Sequence, residues 1–312
     1  MAAILVTGAS GYIGSYMCRW LREQGHNVTA SARTITPALE EAVGDCPLIS
    51  LDVLDIPNDL EGAWDCIVHT ATANDILSRD FEAGIELSTF GTRNILNLAK
   101  RLEVPHVIFF STLQIYGTDL KGEISEGSHT DLVNEYGLNH RFGELVCKLS
   151  SRQTGVRTSI MRPANVYGCP VSRTVDRWSL VPTCFVKEAL ESGTITLRSS
   201  GRQRRDFVSL RQVAAACEAV IREKPDTDRI YNIAAGRTWS MLDAAGWVIS
   251  AFVEAGLPAP ELRVLGSEPQ SGNDFHVHST ITPPPVGGSS AIEMAAEITK
   301  MIQFFRTSSQ PI

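Results

Sequence analysis

Ala2-Ala3-Ile4-Leu5-Val6-Thr7-Gly8-Ala9-Ser10-Gly11-Tyr12-Ile13-Gly14 opens the chain. A short apolar run stops at a threonine, three glycines follow at three-residue spacing, and a helical pattern continues through Trp20 and Leu21. The run reads as a buried strand and the pattern after it as the first helix. Between them Gly8 permits a tight turn, Gly11 lets the backbone approach a pyrophosphate, and Gly14 lets helix and strand pack closely. The same spacing also serves as a plain strand-to-helix turn; its place after the first strand and at the opening of the first helix favours a nucleotide site.

Composition narrows the rest. With 312 residues, 43% apolar and 20% charged, the chain has the make-up of a soluble globular protein with a sizeable core. A net charge of −7 disfavours a general nucleic-acid or membrane-surface partner, both of which need a basic face. The seven cysteines are scattered singly, as small buried hydrophobes in a reducing compartment would be. No cationic leader precedes the first strand and no apolar run reaches the length of a membrane span, so a cytoplasmic location is expected.

Further strand patterns follow at Asn27–Arg33, Pro47–Val53, Asp65–His69 and His106–Phe110, and a long helical pattern runs from Phe81 to Leu102. This alternation predicts parallel βαβ units with helices on both faces, ligands lying beyond the carboxyl ends of the strands. The second strand ends in Ser31-Ala32-Arg33, without the acid that would bind the ribose 2′-hydroxyl of NAD. The expectation is NADP(H), with Arg33 and Ser10 near the 2′-phosphate and NAD(H) the other candidate; an ordinary solvated arginine is the plainer explanation of Arg33. Asp52 is placed to meet an adenine, and Thr70 and Ala71 are small enough for a cofactor to pass close by. His69, alone at a strand end, reads as a structural histidine.

Together with the opening glycines, Asp52-Val53, His69-Thr70-Ala71, the Ser111-Thr112 to Tyr116-Gly117 segment, Tyr136, Arg162-Pro163-Ala164-Asn165-Val166-Tyr167-Gly168 and Arg205-Asp206-Phe207-Val208 stand in order along residues 4 to 237. In these landmarks the chain resembles the extended short-chain dehydrogenase/reductases, specifically the nucleotide-sugar epimerase, dehydratase and reductase family. The resemblance implies a doubly wound, Rossmann-like parallel α/β sheet with a smaller C-terminal substrate-binding lobe. The cofactor domain would span 1–165 and about 206–237, and the lobe 166–205 and 238–312. It also implies a homodimer formed through helices. Cofactor contacts would come from Gly8, Ser10, Gly11, Tyr12, Ile13, Gly14, Arg33, Asp52, Val53, Thr70, Ala71, Tyr136, His140 and Pro163. Substrate contacts would come from Thr112, Asn165 and Arg205, the last suited to a phosphate by its planar guanidinium.

In that family a Ser or Thr, a Tyr, and a Lys four residues after the Tyr do the chemistry. Thr112 and Tyr136 match; His140 stands at the lysine position. Residues 136 and 140 share a helix face, so the imidazole reaches the same region, though it is shorter and only partly protonated at pH 7. His140 then takes over the lysine's bonds in a slower or pH-shifted enzyme, or the acid/base role lies elsewhere, or the domain binds cofactor without turnover. Leu113-Gln114 replaces the Asp-Glu pair of the 4,6-dehydratases, which disfavours dehydration and leaves ketone reduction, alcohol oxidation or epimerisation.

Arg198, Arg202, Arg204 and Arg205 form a basic cluster, and helices are expected at Trp178–Leu190 and Ser240–Ala255. At 269–274 the family's second phosphate-binding arginine is missing, which leaves a non-sugar carbonyl in contention as substrate. Asp274, His276 and His278 alternate as ligands on a strand face would, but no fourth ligand accompanies them and no metal is expected. Residues 282–288 read as a linker, and Ser290-x-x-Glu293 as a capping box for a last helix through Ile302.

Overall fold

The computed structural model describes residues 1–175, 177–267, 274–278 and 291–307. Along the first half lie β1 (Ala3–Thr7), α1 (Tyr12–Glu23), β2 (Asn27–Ala32), α2 (Pro37–Val43), β3 (Leu48–Ser50), β4 (Cys66–His69), α3 (Phe81–Ile85), α4 (Thr92–Arg101), β5 (His106–Phe110), β6 (Gly122–Ile124), α5 (Glu135–Thr154) and β7 (Arg157–Pro163). The second half adds β8 (Asn165–Tyr167), α6 (Thr183–Ser192), β9 (Thr194–Leu197), β10 (Arg204–Ser209), α7 (Leu210–Glu223), β11 (Arg229–Ile233), β12 (Thr238–Ser240), α8 (Met241–Glu254), β13 (Glu261–Val264), β14 (Phe275–Val277) and α9 (Ala291–Arg306).

Seven strands form one sheet in the order β11-β7-β5-β4-β1-β2-β3, every pair parallel. The central strands are apolar on both faces because both faces are covered by helices. Ile4 and Val6 of β1, Cys66 and Val68 of β4, and Ile108 and Phe110 of β5 join the core that includes Met17 and Leu21 of α1 and Val213 of α7. Leu5, Ile67, Val107 and Phe109, one residue out of phase, join Ile95 and Leu96 of α4 and Cys147 of α5 on the other side. Strand order reverses between β1 and β4, the place where such a sheet opens a crevice beyond its carboxyl edge.

Over that edge lies a smaller assembly whose core includes Phe185, Val248, Phe252, Ile298 and Phe305 from α6, α8 and α9. Its strands form a β12-β10-β8 sheet and a β13-β9 pair, while β14 joins β6. Among the described residues no helix is long and apolar enough to cross a membrane, and all seven cysteines are free thiols.

Three expected elements differ. The third strand is only Leu48–Ser50, because its partner β2 ends at Ala32; Asp52 then turns the chain, its Oδ1 accepting from the Leu54 amide at 2.9 Å. The helix expected over 81–102 contains a wide π turn at Glu86–Gly91. There the Ser88 hydroxyl accepts from the Ala73 amide and the Thr92 hydroxyl donates back to the Ser88 carbonyl, competing with regular helical bonding. The helix expected from Trp178 begins at Thr183, since Pro182 keeps the residue before it out of helical geometry. The 282–288 linker, Ser290 of the capping box and residues 269–273 lie outside the described residues.

Candidate active site

A cavity of about 470 Å³ sits between the carboxyl edge of the sheet and the smaller assembly. The turn after β1 builds one wall. Gly8 has φ +73°, and a Cβ there would stand 2.7 Å from the Ala71 amide nitrogen. A Cβ on Gly14 would lie 2.2 Å from the Gly8 carbonyl oxygen. These two glycines make the turn and the close packing, and Gly11, Tyr12, Ile13 and Gly14 line the cavity. Helix α1 starts with no capping side chain and no acid in its first turn. Its positive end is thus left for an external anion, so this cradle fits the pyrophosphate of a dinucleotide.

The opposite wall carries Thr112, Tyr136 and His140. Asn134 caps α5 by accepting from the Gly137 amide at 2.8 Å and donates to Gln114 Oε1 at 3.3 Å, tying the start of the helix to the segment that bears Thr112. Burial pushes the Tyr136 phenol above its ordinary pKa, against the Arg177 charge and a hydrogen bond with Thr112, which favour the phenolate. The phenol therefore keeps its proton at neutral pH.

The His140 ring packs 4.3 Å from that of Tyr136. Its Nδ1 lies 2.9 Å from the Tyr136 carbonyl oxygen and its Nε2 lies 3.3 Å from Thr72 Oγ1. A carbonyl only accepts, so Nδ1 carries the ring proton and Nε2 accepts from the threonine. Burial pushes the pKa of His140 down to about 4. The partial charge expected from the sequence is therefore absent at pH 7, and both ring nitrogens are engaged within the protein.

The nearby cation is Arg177, which no motif marks. It lines the cavity and pairs with Asp75 from the segment after β4. Pro163, Asn165, Thr70 and Arg205 also line the cavity. Asn165 Nδ2 donates to the Asp206 carbonyl at 2.9 Å. The basic cluster splits: Arg204 pairs with Asp274 at 2.8 Å, whereas Arg205 donates to the Arg204 carbonyl and has no ion pair among the described residues. Asp274 is thereby occupied, and among the described residues no set of three or more side chains gathers as for a metal. Gly8, Ser10, Arg33, Asp52, Val53 and Ala71 stand outside the cavity lining. Ser10 and Arg33 are exposed; Val53 is buried.

Behind the cavity lies a buried network that sequence reasoning missed. Glu144 of α5 receives Arg162 Nε and Nη2, each at 2.7 Å, together with the Ser111 hydroxyl and Arg141 Nη1 at the same distance. Arg162 also donates to the Tyr116 hydroxyl at 2.6 Å, which donates to Asn232 at 2.9 Å. Burial alone would raise the Glu144 pKa; the bonds from Arg162 hold it below the usual carboxylate range. The pair ties α5 to β7, and the Ser111 bond ties in the segment bearing Thr112.

His69 is structural, as expected, with Thr7 Oγ1 at 2.7 Å from Nδ1 and Thr92 Oγ1 at 3.2 Å from Nε2. Burial lowers its pKa to about 3 and that of His106 to about 4. Unfolding returns each imidazole of His69, His106 and His140 to near 6.5, so the unfolded chain binds more protons and stability falls as pH drops from about 6.5. Asp206 works oppositely: burial raises it from 3.8 to about 6, so acidification through that range favours the folded chain. These four groups predict a net uptake of about two protons on unfolding near pH 5. Urea midpoints measured between pH 7 and 5 should fall accordingly; a midpoint that rises on acidification would contradict this.

The sequence model of the NAD dependent epimerase/dehydratase family matches residues 4–234, and the chain belongs to that family. Among curated relatives, a dTDP-4-dehydro-6-deoxy-D-allose reductase of Streptomyces is 27% identical over 269 residues, 80% of this chain and 81% of the relative. A putative UDP-glucose 4-epimerase of Methanocaldococcus jannaschii is 27% identical over 251 residues, covering 76% and 78%. Among solved structures, the UDP-glucuronic acid 4-epimerase of Bacillus cereus in complex with NAD superposes with a TM-score of 0.79 at 22% identity, covering 98% of both chains. The chain is thus similar to nucleotide-sugar epimerases and reductases, and an enzyme of the short-chain dehydrogenase/reductase type.

Proposed function

We propose that this protein is an NADPH-dependent ketoreductase acting on a keto group of a nucleotide-linked sugar. The observation that carries the reading is the state of Tyr136: a desolvated phenol beside a neutral imidazole meets its substrate as a proton donor, which carbonyl reduction requires. When bound, the dinucleotide supplies the hydride to the carbonyl carbon. Thr112 and Tyr136 hydrogen-bond the carbonyl oxygen, and Tyr136 passes its proton to that oxygen as it becomes a hydroxyl. His140 holds the start of α5 against Thr72. Gly11 and the uncapped start of α1 receive the pyrophosphate, with Thr70, Ala71 and Pro163 along the cofactor's path and Asp52 and Val53 toward its adenine.

Arg33, with no acid at the end of β2, supports a 2′-phosphate; the NAD held by the solved relatives supports the other cofactor. Arg205, half-buried and without an ion pair among the described residues, and Asn165 support a substrate diphosphate. The reductase relative favours this reading, and the 4-epimerase relative favours a second, epimerisation through a transient keto intermediate.

Two measurements test the reading. Fluorescence titration should give NADPH a dissociation constant about tenfold or more below that of NADH, from charge-assisted bonds to the 2′-phosphate; tighter NADH binding would overturn the cofactor assignment. With a dTDP- or UDP-linked 4-keto-sugar, one NADPH should be consumed per product formed. Product without net consumption identifies the epimerase.

A further inference from the structure

A neutral His140 leaves the Tyr136 phenol without the positive charge that a lysine at that position would bring. Arg177 shares the cavity with Tyr136 and His140. Its side chain is 20% exposed and is fixed by the ion pair with Asp75, whose other carboxylate oxygen receives the Ser179 hydroxyl at 3.4 Å. Three separate segments therefore meet here: the start of α5, the segment after β4, and the segment between β8 and α6. The groups acting on the phenol are Arg177 and Asp75, Thr112 from the segment after β5, and His140 one turn along α5.

We propose that Arg177, anchored by Asp75, is a positioning residue that supplies positive charge to the Tyr136 phenol in place of the missing lysine. This rests on the reading of Tyr136 as the group that transfers the proton. The guanidinium is charged at every pH the protein survives, so its influence does not switch off as an imidazole's would. Its charge favours the phenolate, and Asp75 opposes it more weakly. The ion pair also sets the guanidinium's position, so losing Asp75 alters the charge balance at the phenol as well as the anchoring.

The test is ultraviolet titration of tyrosinate in the full chain, with Tyr136→Phe subtracting the other five of its six tyrosines. Arg177→Gln should raise the Tyr136 midpoint, and Arg177→Lys should return it toward the parent value. Each unit of movement changes the phenolate fraction at fixed pH about tenfold, and the pH–rate profile should move in the same sense. A parent-like or lowered midpoint in Arg177→Gln overturns the proposal. The titration needs neither cofactor nor substrate. Midpoints that move as expected without turnover on any keto-sugar would leave this inference standing and remove the ketoreductase reading; turnover with unmoved midpoints would do the reverse.

Discussion

Tyr136→Phe is expected to lower turnover by about 10²- to 10⁴-fold, the usual contribution of a positioned acid or base, while dinucleotide binding stays within a few-fold of the parent. The phenol lines the cavity and hydrogen-bonds Thr112, and the removed oxygen is not part of the α1 start proposed to receive the pyrophosphate. Steady-state rates together with calorimetric dissociation constants separate the two effects. Because burial raises the phenol's pKa, the parent's reductive rate should stay flat through neutral pH and decline only in alkaline solution, where the proton is lost. His140→Lys should bring that alkaline limb to lower pH, since an ammonium beside the phenol favours the phenolate. Parent-like turnover in Tyr136→Phe would remove the phenol from the chemistry. An unchanged rate and profile in His140→Lys would remove position 140.

Glu144→Ala is expected to cost about 3–5 kcal/mol of folding stability, because it strands the Arg162 guanidinium in the interior. Both side chains are at most 2% exposed, and the carboxylate takes four donors from two other segments and its own helix. Glu144→Gln should cost less, since its amide oxygen still accepts. Replacing both Glu144 and Arg162 with apolar residues of similar size should cost less than Glu144→Ala alone, because no buried charge remains unpaired. Urea unfolding of the three variants reads these differences directly. A loss below about 1 kcal/mol in Glu144→Ala would show that water or another group reaches the guanidinium, and that the network does not hold the walls of the cavity together.

Legibility in the sequence followed the range of the forces involved. β1 and β5 lie within a residue of their expected bounds, and the glycine turn faces the cavity as expected, because strand periodicity and turn geometry are set by neighbours a few positions away. Helix α8, Met241–Glu254, lies within a residue of the expected Ser240–Ala255 at both ends. The early end of β3 and the π turn at 86–91 were hidden because each depends on a partner elsewhere: the last residue of β2 in one case, the Ala73 amide in the other. Within the basic cluster, charge alone did not distinguish Arg204 from Arg205; only the position of Asp274 shows which one is occupied.

The sequence by itself determined the doubly wound sheet and the glycine-rich turn that opens its first helix. Each follows from a local pattern in which the physical reason and the residues lie side by side. Tertiary structure alone decided the charge state of the site. Burial makes His140 neutral against the pull of the Tyr136 carbonyl, which favours the charged ring, and Arg177 meets Asp75 across 102 residues of chain. Desolvation and long-range ion pairing depend on what surrounds a group in space, and no spacing along the chain records that.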